Sequence, residues 1–281
     1  MTRYIEVSNM RLEIINPEIL TNLEKNHGEF ARICYDTPVE RAKAVGKACQ
    51  KSGHMSGSRC EYIKFHIADI DRGTAEQCMR HEIGTWVPFE MQDNYMYAEA
   101  QQYGIIAENP ANIVKNMASF RYIDKGTFDY AMPAVIAKYE EAKKMYDGAM
   151  QLLSNVRSDL KAVLMRNGCD VKEAIEAVNM LMPRATTTDL IIGFTPEALI
   201  HFCHKRLCTR AQEFINELAR QMKAAVADHN KEFAARLVPQ CEYLLYCPEG
   251  KMCCGRKMTY DKTRALIGAI VDVARKEVDR S

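Results

Sequence analysis

The segment Glu61 to Ile70 (EYIKFHIADI) alternates polar and apolar residues from Tyr62 to Ile67, whereas most of the chain after Pro17 is spaced for helix. Strand-like patterns recur only at 11–16 (RLEIIN, stopped by Pro17) and at 186–194. Helices are expected at 17–34, at 38–51 (opened by Pro38 and ended by Gly53), at 73–81, and at 131–156 with Val135, Tyr139, Met145, Tyr146 and Leu153 on one side. Further helices are expected at 159–165, 171–179, 196–207, 210–229 and 263–278. The aromatic-rich stretch 85–97 contains Pro88 and reads as loop or irregular strand. The fold class is therefore α+β and helix-dominated. No repeat or low-complexity tract divides it.

With 281 residues, 47% of them hydrophobic, the chain can bury a full core. Lysine and arginine number 38 against 37 acidic residues, a net charge of +1. That balance argues against a whole-surface grip on a nucleic acid polymer or an anionic membrane. No apolar run approaches the roughly 20 residues that cross a bilayer. The opening MTRYIEVSNMRLEI lacks the basic-then-apolar layout of a signal peptide, so a cytoplasmic protein is expected.

Three polar constellations could carry chemistry. Ser52-Gly53-His54-Met55-Ser56-Gly57-Ser58-Arg59-Cys60-Glu61 is a small-residue loop before a strand, where N–H groups and hydroxyls could hold phosphate, or an ordinary turn. Arg72, Arg80 and His81 bracket a short helix; guanidinium groups there suit phosphate or carboxylate, and cations in a last helical turn are also favoured by the dipole. His201, His204 and Lys205 share a helix face, with Arg206 and Arg210 following. That face either meets an anionic ligand or is simply solvated.

Of 11 cysteines, Cys241, Cys247, Cys253 and Cys254 crowd into PQCEYLLYCPEGKMCCGRK. Adjacent Cys253 and Cys254 rarely both ligate one ion comfortably, so a structural zinc would draw on Cys241, Cys247 and one of Cys253 or Cys254, with Cys208 from the preceding helix as the candidate fourth ligand. The alternative is a set of free thiols.

Taken together and in order, these segments resemble the flavin-dependent thymidylate synthases, the ThyX family. The family's SGHxS segment is similar to Ser52–Ser56. Its R-x-x-x-x-Q-x-x-R-H-R-x-x-S helix is similar to Ile70 through Thr85, its P-x-x-x-x-T stretch to Met182-Pro183, and its late R-x-L-x-x-F…R…A-Q helix to 199–215, which contains HFCHKRLCTRAQEFI. Ala31-Arg32-Ile33-Cys34-Tyr35 matches an early motif, and CPEGKMCCGR is similar to the tail of one branch.

The resemblance implies a mainly antiparallel sheet flanked by helices, in one domain over 1–255 with a C-terminal helix at 256–281, assembled as a homotetramer. It implies one-carbon transfer to carbon 5 of a pyrimidine nucleotide such as dUMP, with FAD as cofactor and with NADPH and methylene-tetrahydrofolate as co-substrates. Arg80 and Arg206 would hold or polarise the nucleotide. His54, Ser56, Glu61, His81, His201 and Gln212 would bind the flavin.

The motif also departs. Glu82 replaces its second arginine, 88–93 (PFEMQD) replaces a serine and an Arg-Tyr pair, Asn179 stands for an arginine, and Thr195-Pro196-Glu197 stands for N-x-R. Each charge-assisted phosphate contact is worth about 1.5–3 kcal/mol, so weak dUMP binding is expected. The departures leave two alternatives open: another nucleotide or modification, such as hydroxymethylation, and a non-catalytic binding or assembly subunit.

Overall fold

The computed structural model describes residues 2–6, 9–34, 36–59, 61–79, 113–118 and 126–278. Along the chain these give β1 (Tyr4–Ile5), β2 (Arg11–Ile14), α1 (Leu23–Cys34), α2 (Ala42–Lys51), β3 (Ile63–Asp71), α3 (Arg72–Met79), β4 (Ile113–Met117) and β5 (Tyr130–Ala131). There follow α4 (Glu140–Arg166), α5 (Val171–Asn179), β6 (Thr187–Phe194), α6 (Pro196–Arg206), α7 (Glu213–His229) and α8 (Tyr260–Val278).

Strands far apart in sequence build the sheet, in the order β2-β3-β6-β4 with every neighbour antiparallel. Ile63, Phe65 and Ile67 pair across to Phe194, Ile192 and Leu190, and all six are fully buried. Such a run gives one core-facing side of an antiparallel sheet. Helices α6 and α7 cover that side with Phe202, Leu218 and Met222; the Phe202 ring lies 5.1 Å from Phe194. The other side is more open, with Lys64 and Ile191 exposed.

The β3–β6 ladder slips once. Ile67 faces Leu190, but Ile70 faces Thr188, so β3 carries one extra residue there, and Asp69 takes a left-handed φ of 63°. This is a β-bulge, which lets Ile70 return to the core at the wrong parity for a regular strand.

Helices α1 and α2 cross with backbone against backbone. A Cβ built on Gly46 would overlap the Glu24 carbonyl oxygen and lie 2.7 Å from Gly28 N, and one on Gly28 would overlap the Ala42 carbonyl. The pair supports the Ser56–Ser58 turn, where a Cβ on Gly57 would come 2.7 Å from His27 Cδ2.

A second cluster joins Phe128, Tyr130, Met132 and Met150 to Tyr146 and Leu153. Here the expected helix 131–156 is corrected. The chain is a strand at Tyr130–Ala131, a short helix at Ala134–Ala137, and then one continuous helix, α4, that absorbs the separate helix expected at 159–165. The break, bounded by Pro133 and by extended Tyr139, resets the helical phase. Tyr146 and Leu153 still pack inward, but Val135, Tyr139 and Met145 are exposed, and Met150, Ser154 and Arg157 take the buried positions. Asn22 likewise divides the expected 17–34 helix. The stretch 85–97 lies outside the described residues.

Candidate functional site

Two clusters of side chains gather where α3, α6 and α7 approach the sheet. The first forms at the start of α6. Thr195 caps this helix, its hydroxyl accepting the Ala198 N–H at 3.3 Å, and Pro196 opens it. Glu197 then receives both arms of Arg59, Nε to Oε2 at 2.6 Å and Nη2 to Oε1 at 3.3 Å. This bidentate pair ties the small-residue loop to the late helix. It also accounts for the glutamate found where an arginine was expected: Glu197 is matched by a cation from within the chain.

His201 lies one turn further along α6. Burial, then Lys205, push its pKa down, so the ring is neutral near pH 7. Glu61 stands on the loop's far side, its carboxylate accepting from Asn26 Nδ2 at 2.7 Å, with burial raising its pKa. His54 is exposed, and Ser56 lies in the 3-10 turn.

The second cluster surrounds a cavity of about 300 Å³ lined by Asp71, Gln77, Tyr146, Arg184 and Gln212, among others. Gln77 on α3 donates its amide to the Gln212 side chain at the head of α7, so the two motif-bearing helices meet. Arg206 sits at the end of α6, half-buried beside Cys78 of α3, with its Nε lacking a hydrogen-bond partner. The Arg206 carbonyl accepts from Asn216 Nδ2 at 2.6 Å, which fixes the helix end. A half-buried guanidinium with an unmatched N–H suits a carbonyl or phosphate oxygen.

The structure thus brings Arg206 and Gln212 toward the helix that leads into Arg80, and His201 toward the loop bearing Glu61. Arg80, His81, Glu82, Glu90 and Gln92 lie outside the described residues. Asn179 is buried, its amide oxygen accepting from Arg157 Nη2 at 2.5 Å; Arg157 is itself only 2% exposed and lies 5.6 Å from the Phe128 ring. The position that lost an arginine is therefore filled from the preceding helix, α4, and neither residue shows in the sequence as a pair. Asp71 and Arg184 were also not marked by any motif. Only the bulge, itself invisible in the alternation, places Asp71 at the cavity.

Cys208, Cys241, Cys247 and Cys254 do line one small cavity of about 30 Å³ together with His204. Yet among the described residues no three His, Cys, Asp or Glu side chains are grouped to hold a metal ion. The sulfurs are engaged separately. Cys254 hydrogen-bonds the Thr209 side chain, Cys247 pairs with Cys253, and Cys253 Sγ also contacts Lys257 O and accepts from Gly255 N, each at 3.3 Å. The described cysteines are all free thiols. His204, stacked on Tyr243 at 4.9 Å, has its pKa pushed down to about 4, chiefly by burial and then by His201, Lys205 and Arg236.

Residues 19–229 match the family described as thymidylate synthase complementing protein. The chain is 30% identical over 221 residues to a flavin-dependent thymidylate synthase of Nitratidesulfovibrio vulgaris, covering 78% of each chain. It is 24% identical over 257 residues to one from Clostridium tetani, covering 85% of this chain and 91% of that one. Its fold is similar to the crystal structure of a UMP/dUMP methylase, PolB, from Streptomyces cacaoi bound with 5-Br UMP, with a TM-score of 0.53 at 14% identity, covering 84% of this chain and 95% of that one. The same enzyme bound with 5-Br dUMP gives a TM-score of 0.53 at 16% identity, covering 83% and 96%. With three quarters of its length matched and the motif-bearing helices α3, α6 and α7 packed together, this chain belongs to the thymidylate synthase complementing protein family, the flavin-dependent thymidylate synthases.

Proposed function

We propose that this protein is a flavin-dependent enzyme that transfers a one-carbon unit to carbon 5 of a pyrimidine nucleotide of the UMP or dUMP type. One observation carries the reading: Gln77 and Gln212, drawn from two separate family motifs, meet at one ligand-sized cavity, and Arg206 stands beside Cys78 of the same helix α3. The names of the relatives and of the structural neighbour point to the same chemistry.

The residues present fit the flavin and nucleotide in kind. Arg206 offers an unmatched N–H from a half-buried cation, so it would hold or polarise an oxygen of the nucleotide, with Arg80 as its partner in that role. His201 is neutral and so binds by hydrogen bond rather than by charge. His54, Ser56, Glu61, His81 and Gln212 complete the residues assigned to the FAD. Bound FAD supplies the electron transfer that reduces a methylene unit to a methyl group. The co-substrates in this reading are NADPH and methylene-tetrahydrofolate.

Residues 1–255 form the working unit and α8 follows it. The assembly is a homotetramer, supported by a stripe of exposed apolar residues along α4, Leu152, Val156, Leu160 and Val163. No helix among the described residues is long and apolar enough to cross a membrane, in keeping with a cytoplasmic location.

The test is direct. Purified protein should be yellow with bound flavin. It should release tritium from a 5-tritiated uridylate only when methylene-tetrahydrofolate and NADPH are supplied. Arg206→Ala should lose flavin or nucleotide binding while its circular dichroism is unchanged. A colourless protein that releases no tritium overturns the reading.

A further inference from the structure

The chain between α7 and α8 carries a sulfur pair that the nucleotide reading does not use. Cys247 stands at the root of a tight loop. Its N–H donates to Met258 O at 2.7 Å, and it bridges in parallel to Thr259, just before α8 begins. From this root the chain turns at Gly250 and again at Gly255, with left-handed φ of 50° and 85° that favour glycine. Between the two turns Cys253 is brought back to Cys247, and the two side chains hydrogen-bond sulfur to sulfur.

Each sulfur also receives a backbone N–H from the residue two places further on: Glu249 for Cys247, and Gly255 for Cys253 at 3.3 Å. A donor aimed at sulfur favours the thiolate, the form that attacks a disulfide.

The pair is unequal. Cys253 is partly exposed, whereas Cys247 is only 6% exposed and its pKa is pushed up to about 11, chiefly by burial. Cys253 is thus the sulfur that a reagent meets, and Cys247 is the one waiting behind it. Between them in sequence, Met252 O accepts from Arg210 Nε at 3.0 Å, so the loop grips the segment joining α6 to α7.

We propose that Cys247 and Cys253 are a reversible dithiol–disulfide pair, a modification site at which a low-molecular-weight disulfide of the glutathione type closes this loop. The Cys253 thiolate attacks one sulfur of the reagent, whose S–S bond breaks to release one glutathione thiolate. Cys247 then gives up its proton and attacks Cys253 Sγ; the Cys247–Cys253 bond forms as the second glutathione leaves. Two protein thiols are oxidised, and one glutathione disulfide is reduced to two thiols. The closed loop fixes Met252 against Arg210 and so couples the redox state to the segment that follows α6. Under reducing conditions such a pair is a transient, sensing disulfide rather than a structural one.

The full-length protein, equilibrated in buffers of reduced and oxidised glutathione at several ratios, acid-quenched, alkylated and mapped by peptide mass spectrometry, tests this. One internal link, Cys247 to Cys253, should rise with the share of glutathione disulfide. It should reach the same level from reduced and from oxidised starting protein. Cys247→Ser should abolish the link and accumulate glutathione on Cys253, because the resolving thiol is gone. Cys253→Ser should abolish the link and leave Cys247 unmodified. Cys254→Ser should leave the link unchanged, although Cys254 is the more exposed neighbour. Absence of the Cys247–Cys253 link at every ratio would overturn the proposal. So would a link through Cys208, Cys241 or Cys254 in its place, or a Cys247→Ser protein that holds no glutathione on Cys253.

Discussion

Gly46→Ala sets two effects of similar size against each other, and the structure decides between them. In a helix interior, alanine is favoured over glycine by about 0.8–1.0 kcal/mol, so propensity alone predicts stabilisation. The added methyl, however, would fall on the Glu24 carbonyl oxygen and 2.7 Å from Gly28 N, both backbone atoms of the facing helix α1. Backbone cannot rotate aside, so α1 and α2 must separate and forfeit packing along their whole contact. Overpacking costs typically about 1–3 kcal/mol, and with no flexible side chain to yield, the upper end applies. The net expectation is a loss of about 2 kcal/mol.

Gly148 provides the control. It lies exposed inside α4, where a Cβ meets nothing within 4 Å, so Gly148→Ala should gain about 0.5–1 kcal/mol. Urea unfolding followed by circular dichroism, with both variants and wild type extrapolated to water, reads the two signs. A Gly46→Ala protein at least as stable as wild type would refute the close-crossing argument. Because the same helix pair supports the Ser56–Ser58 turn, the variant should also bind flavin less tightly.

The His204 ring contributes to stability in proportion to pH. Its folded pKa of about 4 lies below the ordinary 6.5, so the unfolded chain takes the proton first; stability is full above about pH 6.5 and is lost as pH falls toward 4. Allowing for solvent screening of a ring that is not fully enclosed, urea midpoints at pH 7 and pH 5 should differ by the equivalent of about 1 kcal/mol more in wild type than in His204→Gln. Among the described cysteines, Cys254 should alkylate first with iodoacetamide near pH 7.5, followed by peptide mass spectrometry: it is exposed and the Thr209 contact lowers its pKa. Cys78 and Cys203, buried and raised to about 12, should stay unlabelled until the protein unfolds. Elemental analysis of untagged protein should find less than about a tenth of an equivalent of zinc, since a preformed four-thiolate site would retain the metal through purification.

Much of the fold was legible because its elements are marked locally. Alternation located β3, and Asp170 and Gly53 mark where α5 begins and where the chain leaves α2; the expected 171–179 helix is α5 to the residue. Helix 131–156 was misread because apolar spacing survives a break while its phase does not, so Val135 and Met145 look like core and are not. At the site, the order of weak motifs identified α3, α6 and α7, since Gln77, Arg206 and Gln212 are each near the end of a recognisable helix. The compensations were not legible. Arg59 with Glu197 is 138 residues apart and Arg157 with Asn179 is 22, and a single sequence gives no sign that a charge in one place answers a change in another.

The bulge at Asp69 makes chain length, rather than residue type, the variable that sets the site. In an unbroken strand Asp71 would share the parity of Ile63, Phe65 and Ile67 and point among them; the one inserted residue hands that direction to Ile70 and turns Asp71 outward. A single-codon deletion at 68 or 69 would therefore exchange the carboxylate at the cavity for an isoleucine without altering either side chain. A lineage that gained or lost this codon would change the charge lining the cavity in one step, while its recognisable motifs stayed the same.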